Sequence, residues 1–349
     1  MKACIVVPTI REKNAQDFLH AWRMEFSGHH VIVVEDNPER TFKLPSWYGA
    51  ATEWRDGVTH LTHVSWKEID ADLKDDAWII PRRSGAIRNY GNLLASRIPG
   101  LDMIVNLDDD CMPDELPFLE AHWKALETPG MTATIFDTMG YLCTAPNVVG
   151  LSHMRPRGFP KKIRLARTVL NHGLWNGVPD LDGETQLKYG DGPVTFLPQL
   201  RQVPVGTLFP MSAMNIAFRP ELLPAMYNLP MGQGQPFHRF DDIWCGLIMK
   251  KACDAMGWSV RSGSPCIRHI RASDAKRNAE LEAPGIVENE EVWRHAAECV
   301  VSGNSLTAAL QDIHLELSQT RGEYWRMASR AAGGWRRLIK SNRPDRLPT

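Results

Sequence analysis

The sequence predicts an α/β protein, with a mostly parallel central sheet over residues 1–280 and a C-terminal helical appendage with a basic tail over 281–349. Three features carry that reading. Two continuous β-branched runs, residues 4–10 and 31–34, flank a stretch with apolar residues at helical spacing, 17–26, which makes a βαβ opening. A third apolar run, 102–107, ends on three consecutive aspartates. Beyond Pro284 the pattern becomes helical.

The first run closes on Pro8-Thr9 and the second on Glu35-Asp36-Asn37. Thr9, Arg11 and Asp36 are therefore expected at the carboxyl ends of parallel strands, where open α/β sheets collect ligands. Residues 45–80 scatter four tryptophans among charges and suggest no element. A helix is expected over 84–96, and short strands with long loops over 131–210, where Pro, Gly and Asn are frequent. Helices at 221–227 and 242–256, strands at 259–261 and 266–269, then helices at 288–301 and 306–335 complete the chain.

With 349 residues, 43% of them hydrophobic, the chain can bury a large core. Forty Lys and Arg balance forty-one Asp and Glu, so no global field draws it to nucleic acid or membrane. Seven scattered cysteines without a CxxC pair imply reduced thiols rather than a disulfide framework or zinc site. The apolar N-terminal run is too short for a signal peptide, and no stretch approaches the roughly 20 apolar residues of a spanning helix. A soluble, cytoplasmic protein is the expectation.

Asp108-Asp109-Asp110 reads as a DxD-type cluster in which Asp110, with Asp108, holds Mg²⁺ or Mn²⁺ bridging two phosphates. A solvated turn explains an acidic triplet too. His269 ends the last expected strand and is a candidate second metal ligand, although a lone histidine is more often structural. Asp241 and Asp242 either cap a helix or face a sugar, one accepting hydroxyl hydrogen bonds and one moving a proton. Arg82, Arg83 and Arg88 are candidates for a diphosphate, as is the basic stretch 153–164. At the C-terminus Arg326, Arg330, Arg336, Arg337 and Lys340 alternate with Trp325 and Trp335. Trp325, Ala328, Ala332 and Trp335 form one helical stripe for packing, which favours a buried face over a nucleic-acid or lipid surface.

Six blocks in order then show what the chain resembles: Val7-Pro-Thr-Ile-Arg11, Leu107-Asp-Asp-Asp-Cys111, Asn171-His-Gly-Leu-Trp175, Gly206-Thr-Leu-Phe-Pro-Met211 with Met214-Asn215, Met231-Gly232 with Gly234-Gln235-Pro236, and Arg239-Phe-Asp-Asp-Ile-Trp244. It resembles the reversibly glycosylated polypeptides, or UDP-arabinopyranose mutases, across most of residues 3–275. The resemblance implies a Rossmann-like fold of the A-type glycosyltransferases, a UDP-sugar substrate and a Mn²⁺ or Mg²⁺ cofactor. It implies uridine contacts from Thr9, Arg11 and Asp36, and metal at Asp110 and His269; Arg83, Arg88, Asp108 and Asp109, read from residue type and position, are candidates for further UDP-sugar contacts. His172, Trp175 and Asn215 fall in its blocks and are candidates for the same ligand. Arg164 matches the arginine that the family glycosylates reversibly, and joins Asp241 and Asp242 as a catalytic candidate. After Arg164 this chain departs from the family, with Leu165-Ala-Arg167 where an acidic residue and glycine are usual. The resemblance also suggests homo-oligomers. Two other readings stand beside a mutase: a transferase passing the sugar to an external acceptor, such as modified DNA, and a non-catalytic glycosylated carrier.

Overall fold

A computed structural model describes residues 1–46, 59–130, 166–270 and 274–341, with the backbone of 49–50 and 157–158. Calls on the basic stretch 153–164, Arg164 included, lie outside the described side chains.

The sheet begins with β1 (Ala3–Thr9), followed by α1 (Glu12–Ala21), β2 (His30–Glu35), β3 (Gly49–Ala50) and β4 (His60–Val64). Helix α2 (Trp66–Leu73) and, after two short 3-10 turns, α3 (Arg88–Ala95) lead to β5 (Met103–Leu107) and β6 (Cys111–Pro113). Helix α4 (Phe118–Glu127), β7 (Arg157–Gly158), β8 (Thr168–Gly177), α5 (Gly183–Tyr189), β9 (Leu200–Val203), β10 (Thr207–Leu208) and β11 (Asn215–Phe218) follow. The chain continues through α6 (Asp241–Met256), β12 (Ser259–His269), α7 (Ala275–Glu298), α8 (Leu306–Thr320) and α9 (Glu323–Ser341).

One ten-stranded sheet runs β3-β4-β2-β1-β5-β11-β8-β12-β6, with β9 also on β12. Its first five strands are mutually parallel. Strand β11 then runs antiparallel to both neighbours, β8 and β12 pair in parallel, and β6 and β9 close on β12 antiparallel. The expected α/β architecture is present, its parallel half carried by strands apolar on both faces, as covered parallel strands are.

Boundaries moved where tertiary contacts outweigh pattern. Residues 45–80 hold β4 and α2, which the sequence hid because β4 is only partly covered near the sheet edge and carries His60, Thr62 and His63. The stretch 221–227 is a 3-10 turn, Pro220–Ala225, because Pro224 cannot continue an α-helix. The two strands expected at 259–261 and 266–269 are one bulged strand, β12. It kinks at Gly263, with φ of 137°, where a Cβ would stand 1.8 Å from the Gln199 carbonyl. The expected helix 306–335 is two, separated at Gly322 with φ of 97°.

The expected division at residue 280 falls inside α7, which starts at Ala275. The helices that follow share the core of the sheet domain. Trp325 packs on Trp244 at 5.1 Å between ring centres, and its Nε1 donates to Glu288. Trp335 donates to the Leu223 carbonyl at 2.9 Å. Trp325, Ala328, Ala332 and Trp335 are all buried, so the aromatic stripe is core, while Arg326, Arg330 and Arg337 are exposed and Arg336 is half-buried. Among the described residues six cysteines are free and buried, and no helix is long and apolar enough to cross a membrane. Trp335→Ala should cost about 3–5 kcal/mol in one cooperative denaturant transition; a separate early transition would mean that α9 folds apart from the sheet.

Candidate active site

The three parallel strands β2, β1 and β5 deliver Asp36, Thr9 and Asp108–Asp110 to one edge of the sheet. The aspartates there have divided roles. Asp109 is internal, accepting from Thr9 Oγ1 at 2.6 Å and from two nitrogens of Arg11. It ties the loop after β1 to the end of β5. Asp108 accepts from Arg88 Nη2 at 2.6 Å. Asp110 lies 3.8 Å from His269 Nε2 and 3.5 Å from Arg11 Nη2. His269 Nδ1 donates to the Val178 carbonyl at 2.8 Å, which turns the Nε2 lone pair towards Asp110. Burial, then the charge of Asp108, pushes the Asp110 carboxyl up to about 6.

Asp36 is buried; its oxygens accept from Trp66 Nε1 at 2.7 Å and from the Ser84 amide at 3.1 Å. The Arg83 guanidinium stacks over Trp66 at 5.1 Å, on a backbone with φ of 53°. Two cavities of about 380 Å³ and 430 Å³ adjoin here. They share Arg11, Arg83, Arg88, Asp108, Asp110 and Arg239 as walls. The second reaches towards Thr9, Asp36 and Arg277; the first towards Asp180, His238, Asp241, Asp242, His269 and Glu282.

Asp241 and Asp242 open α6 on the wall of the first cavity. Asp242 accepts from the amides of Ala213 and Ile243, at 2.9 and 2.8 Å. Burial and the neighbouring Asp241 push its carboxyl up to about 7, and burial raises Asp241 too. Arg88 is the opposing charge. Only 4% exposed, its guanidinium donates to Asp108, to the Ala213 carbonyl at 2.7 Å and to the Gly85 carbonyl at 3.0 Å.

Three candidates stand elsewhere. His172, Trp175 and Asn215 lie on β8 and β11 in the middle of the sheet, buried, and do not line either cavity. His172 Nδ1 bonds Ser262 Oγ at 2.9 Å, and burial pushes its imidazole down to about 3. Asn215 Nδ2 donates to the carbonyls of Leu174 and Pro265, both at 2.9 Å, while its Oδ1 pairs with His122. Trp175 packs edge-on against Phe196. The side chains of His172 and Asn215 thus link strand to strand, and the structure places all three residues in the core rather than on a cavity wall.

Arg239, His238, Asp180, Arg277 and Glu282 line the cavities without having been singled out. Arg239 sits in a matching block, directly before the acidic pair, and that was the available signal. Glu282 on α7 accepts from Arg239 Nε at 3.0 Å and from the Gly183 amide, which opens α5, at 2.7 Å. Helix α7 thus roofs the site with Arg277, Leu281 and Glu282, one turn apart on one face.

Adjoining cavities at strand carboxyl ends, with guanidinia at their junction and carboxylates at one end, define a site for an elongated ligand with an anionic middle and a hydroxylated end. The chain belongs to the reversibly glycosylated polypeptide family, whose model matches residues 2–329. It is 33% identical over 325 residues to the probable UDP-arabinopyranose mutase 1 of Pisum sativum, covering 90% of this chain and 82% of that one. It is 35% identical over 297 residues to UDP-arabinopyranose mutase 3 of Arabidopsis thaliana, covering 82% and 75%. Among solved structures, glucosyl-3-phosphoglycerate synthase from Mycobacterium tuberculosis, in complex with Mn²⁺, UDP and phosphoglyceric acid, is a distant likeness. It has 12% identity and a TM-score of 0.40 over 86% of this chain and 80% of that chain.

The acidic pair predicts a pH signature. Asp242 has a folded value near 7 against an ordinary 3.8, so it favours the fold most below about pH 4 and ceases to do so as pH rises through 7. Asp242→Asn should therefore gain stability relative to the parent between about pH 5 and pH 8, read by urea unfolding in EDTA. A constant difference across that range would contradict the assignment.

Proposed function

We propose that this chain interconverts UDP-arabinopyranose and UDP-arabinofuranose, with a divalent cation at Asp110. The single observation that carries the reading is the junction of the two cavities at Asp108, Asp110 and four arginines, with an acidic pair on one side only. It accommodates a diphosphate between a nucleoside and a sugar. The names of the family relatives supply the sugar.

The donor set fits a hard cation. Asp110 and His269 present an oxygen and an imidazole lone pair to one point, with Asp108 beside them. Among the described residues no cluster of three or more His, Cys, Asp or Glu is arranged to hold a metal alone. Mg²⁺ and Mn²⁺ commonly use one or two carboxylates plus substrate phosphates, so two protein ligands suffice when the diphosphate supplies the rest. The bound ion would stabilise negative charge on the departing diphosphate.

The chain's own groups do the remainder. Arg11, Arg83 and Arg239 hold the diphosphate at the junction, and Arg88 keeps the carboxylates around it compatible with that charge. As the bond from C1 to the phosphate oxygen breaks, the sugar 4-hydroxyl closes on C1 and gives its proton to the Asp242 carboxylate. UDP then re-adds at C1 as the bond from C1 to the ring oxygen breaks, and that oxygen takes the proton back. A carboxyl near 7 suits both directions. Arg239 is held for this task by Glu282, whose other oxygen is anchored on α5.

Purified protein incubated with Mn²⁺ and UDP-arabinopyranose should yield the furanose form by chromatography, and Asp110→Ala should abolish it. Release of free UDP alone would point to transfer or hydrolysis instead. Arg239→Ala should lower kcat/KM by about 10²-fold or more, as removal of one fixed donor to developing charge does. Glu282→Ala should fall between that variant and the parent; an effect equal to none would remove Glu282 from the site.

A further inference from the structure

Helices α8 and α9 leave between them a cleft of about 730 Å³ on the face of α9 opposite its buried tryptophans. It is lined by Arg326, Arg330 and Arg336, with His314 at its floor and Ser318 and Glu323 at its margin. Among the described residues Arg11, Arg88, Arg97, Arg239 and Arg321 have carboxylate partners, whereas the three cleft guanidinia, like those of Arg268, Arg277 and Arg337, have none.

Two of these groups are poorly placed for a solvated surface. Burial, with Arg337 nearby, pushes the Arg336 guanidinium down to about 10. His314 is 5% exposed, and its Nδ1 is buried without a hydrogen-bond partner. An unpaired buried imidazole nitrogen beside an unpaired, half-buried guanidinium is costly unless something compensates it. The cleft's carboxylates do not. Asp312 is occupied by the amides of Ser302 and Gly303, at 2.8 and 3.0 Å, and by the Ser302 hydroxyl at 3.1 Å. Three guanidinia therefore face Glu323 as the one uncommitted carboxylate of the lining.

We propose that this cleft is a second anion site, which takes a phosphomonoester or oligophosphate group on Arg326, Arg330 and Arg336 with His314 Nδ1 beneath. Guanidinium forks match phosphate oxygens in pairs, and a phosphate brings about two negative charges to a lining that carries three guanidinia against the carboxylates of Asp312 and Glu323. None of its lining residues belongs to the catalytic cavities. The group arrives either on a free metabolite or on a lipid headgroup; the chemistry of recognition is the same.

The test uses the full chain with its catalytic cavity saturated by one molar equivalent of UDP, which leaves no excess to compete for the cleft. Inorganic pyrophosphate, titrated by calorimetry, should show one further binding event. It should weaken about tenfold for each guanidinium removed, in Arg330→Ser and in Arg326→Ser/Arg336→Ser. UDP affinity should be unchanged in both, which also reports that they fold. Arg330 is exposed, so Arg330→Glu stays interpretable if the double variant does not fold. Flotation with phosphatidylcholine vesicles, with and without phosphatidylinositol 4-phosphate, separates the sources. Phosphoinositide-dependent flotation lost in Arg330→Glu would assign a headgroup, and pyrophosphate binding without flotation would assign a free ligand. No pyrophosphate event in the UDP-saturated parent, or an event indifferent to all three variants, overturns the proposal.

Discussion

The guanidinium of Arg88 is the constraint on which the site depends. Asp108, Asp241 and Asp242 are brought together by two unrelated pieces of chain, the end of β5 and the start of α6, and each carboxylate repels the others. Unpaired, such a cluster would protonate or hold the elements apart. Arg88 bonds Asp108 directly and adds its charge to the field on Asp241 and Asp242. Its Nε and Nη1 donate to the carbonyls of Gly85 and Ala213, so each of its three nitrogens makes a hydrogen bond. One buried cation therefore fixes both the spacing of the sheet end from α6 and the charge state of the cavity wall.

That arrangement explains why the aspartates of one triplet behave differently. Asp109 is buried and bonded to Thr9 and Arg11, which makes it a fastening of the β1 loop at the wall of the second cavity. Asp108 is taken by Arg88. Asp110 keeps an oxygen directed at His269 and carries the burden of its neighbours' charge. Burial first and then the neighbouring carboxylates raise it, so a cation placed there would offset charge that Arg88 does not reach.

Much of this was legible in the sequence because it follows from period and position. Apolar runs ending in Thr9, Asp36 and Asp108–Asp110 gave strands whose ends must meet, since parallel neighbours share one carboxyl edge. The acidic pair at Asp241 and Asp242 was legible as a helix start. What could not be read was which polar residues of a matching block point outward. His172, Trp175 and Asn215 look like site chemistry in one dimension. On a central strand, however, hydrogen-bonding side chains can equally pin strand to strand, and here Asn215 bridges Leu174, Pro265 and His122. Pattern distinguishes apolar from polar; it does not distinguish a polar group turned to a cavity from one buried among carbonyls.

The C-terminal helices show the same limit on a larger scale. A change to helical character after Pro284 suggested an appendage, yet α7 begins ahead of that proline and brings Arg277, Leu281 and Glu282 over the cavities. Gly285 lies against the Phe240 ring, where a Cβ would stand 2.5 Å away, and a Cβ on Gly183 would stand 2.2 Å from the Ala279 nitrogen of α7. These contacts have no room for a side chain, so α7 packs directly on α5 and on Phe240. Behind it, Trp325 and Trp335 anchor α9 to α6 and to the turn at Leu223. The roof over the cavities therefore shares its packing with the sheet domain beneath it. The position of Arg239, through Glu282, is set by the packing of helices that a reading by composition assigns to the periphery.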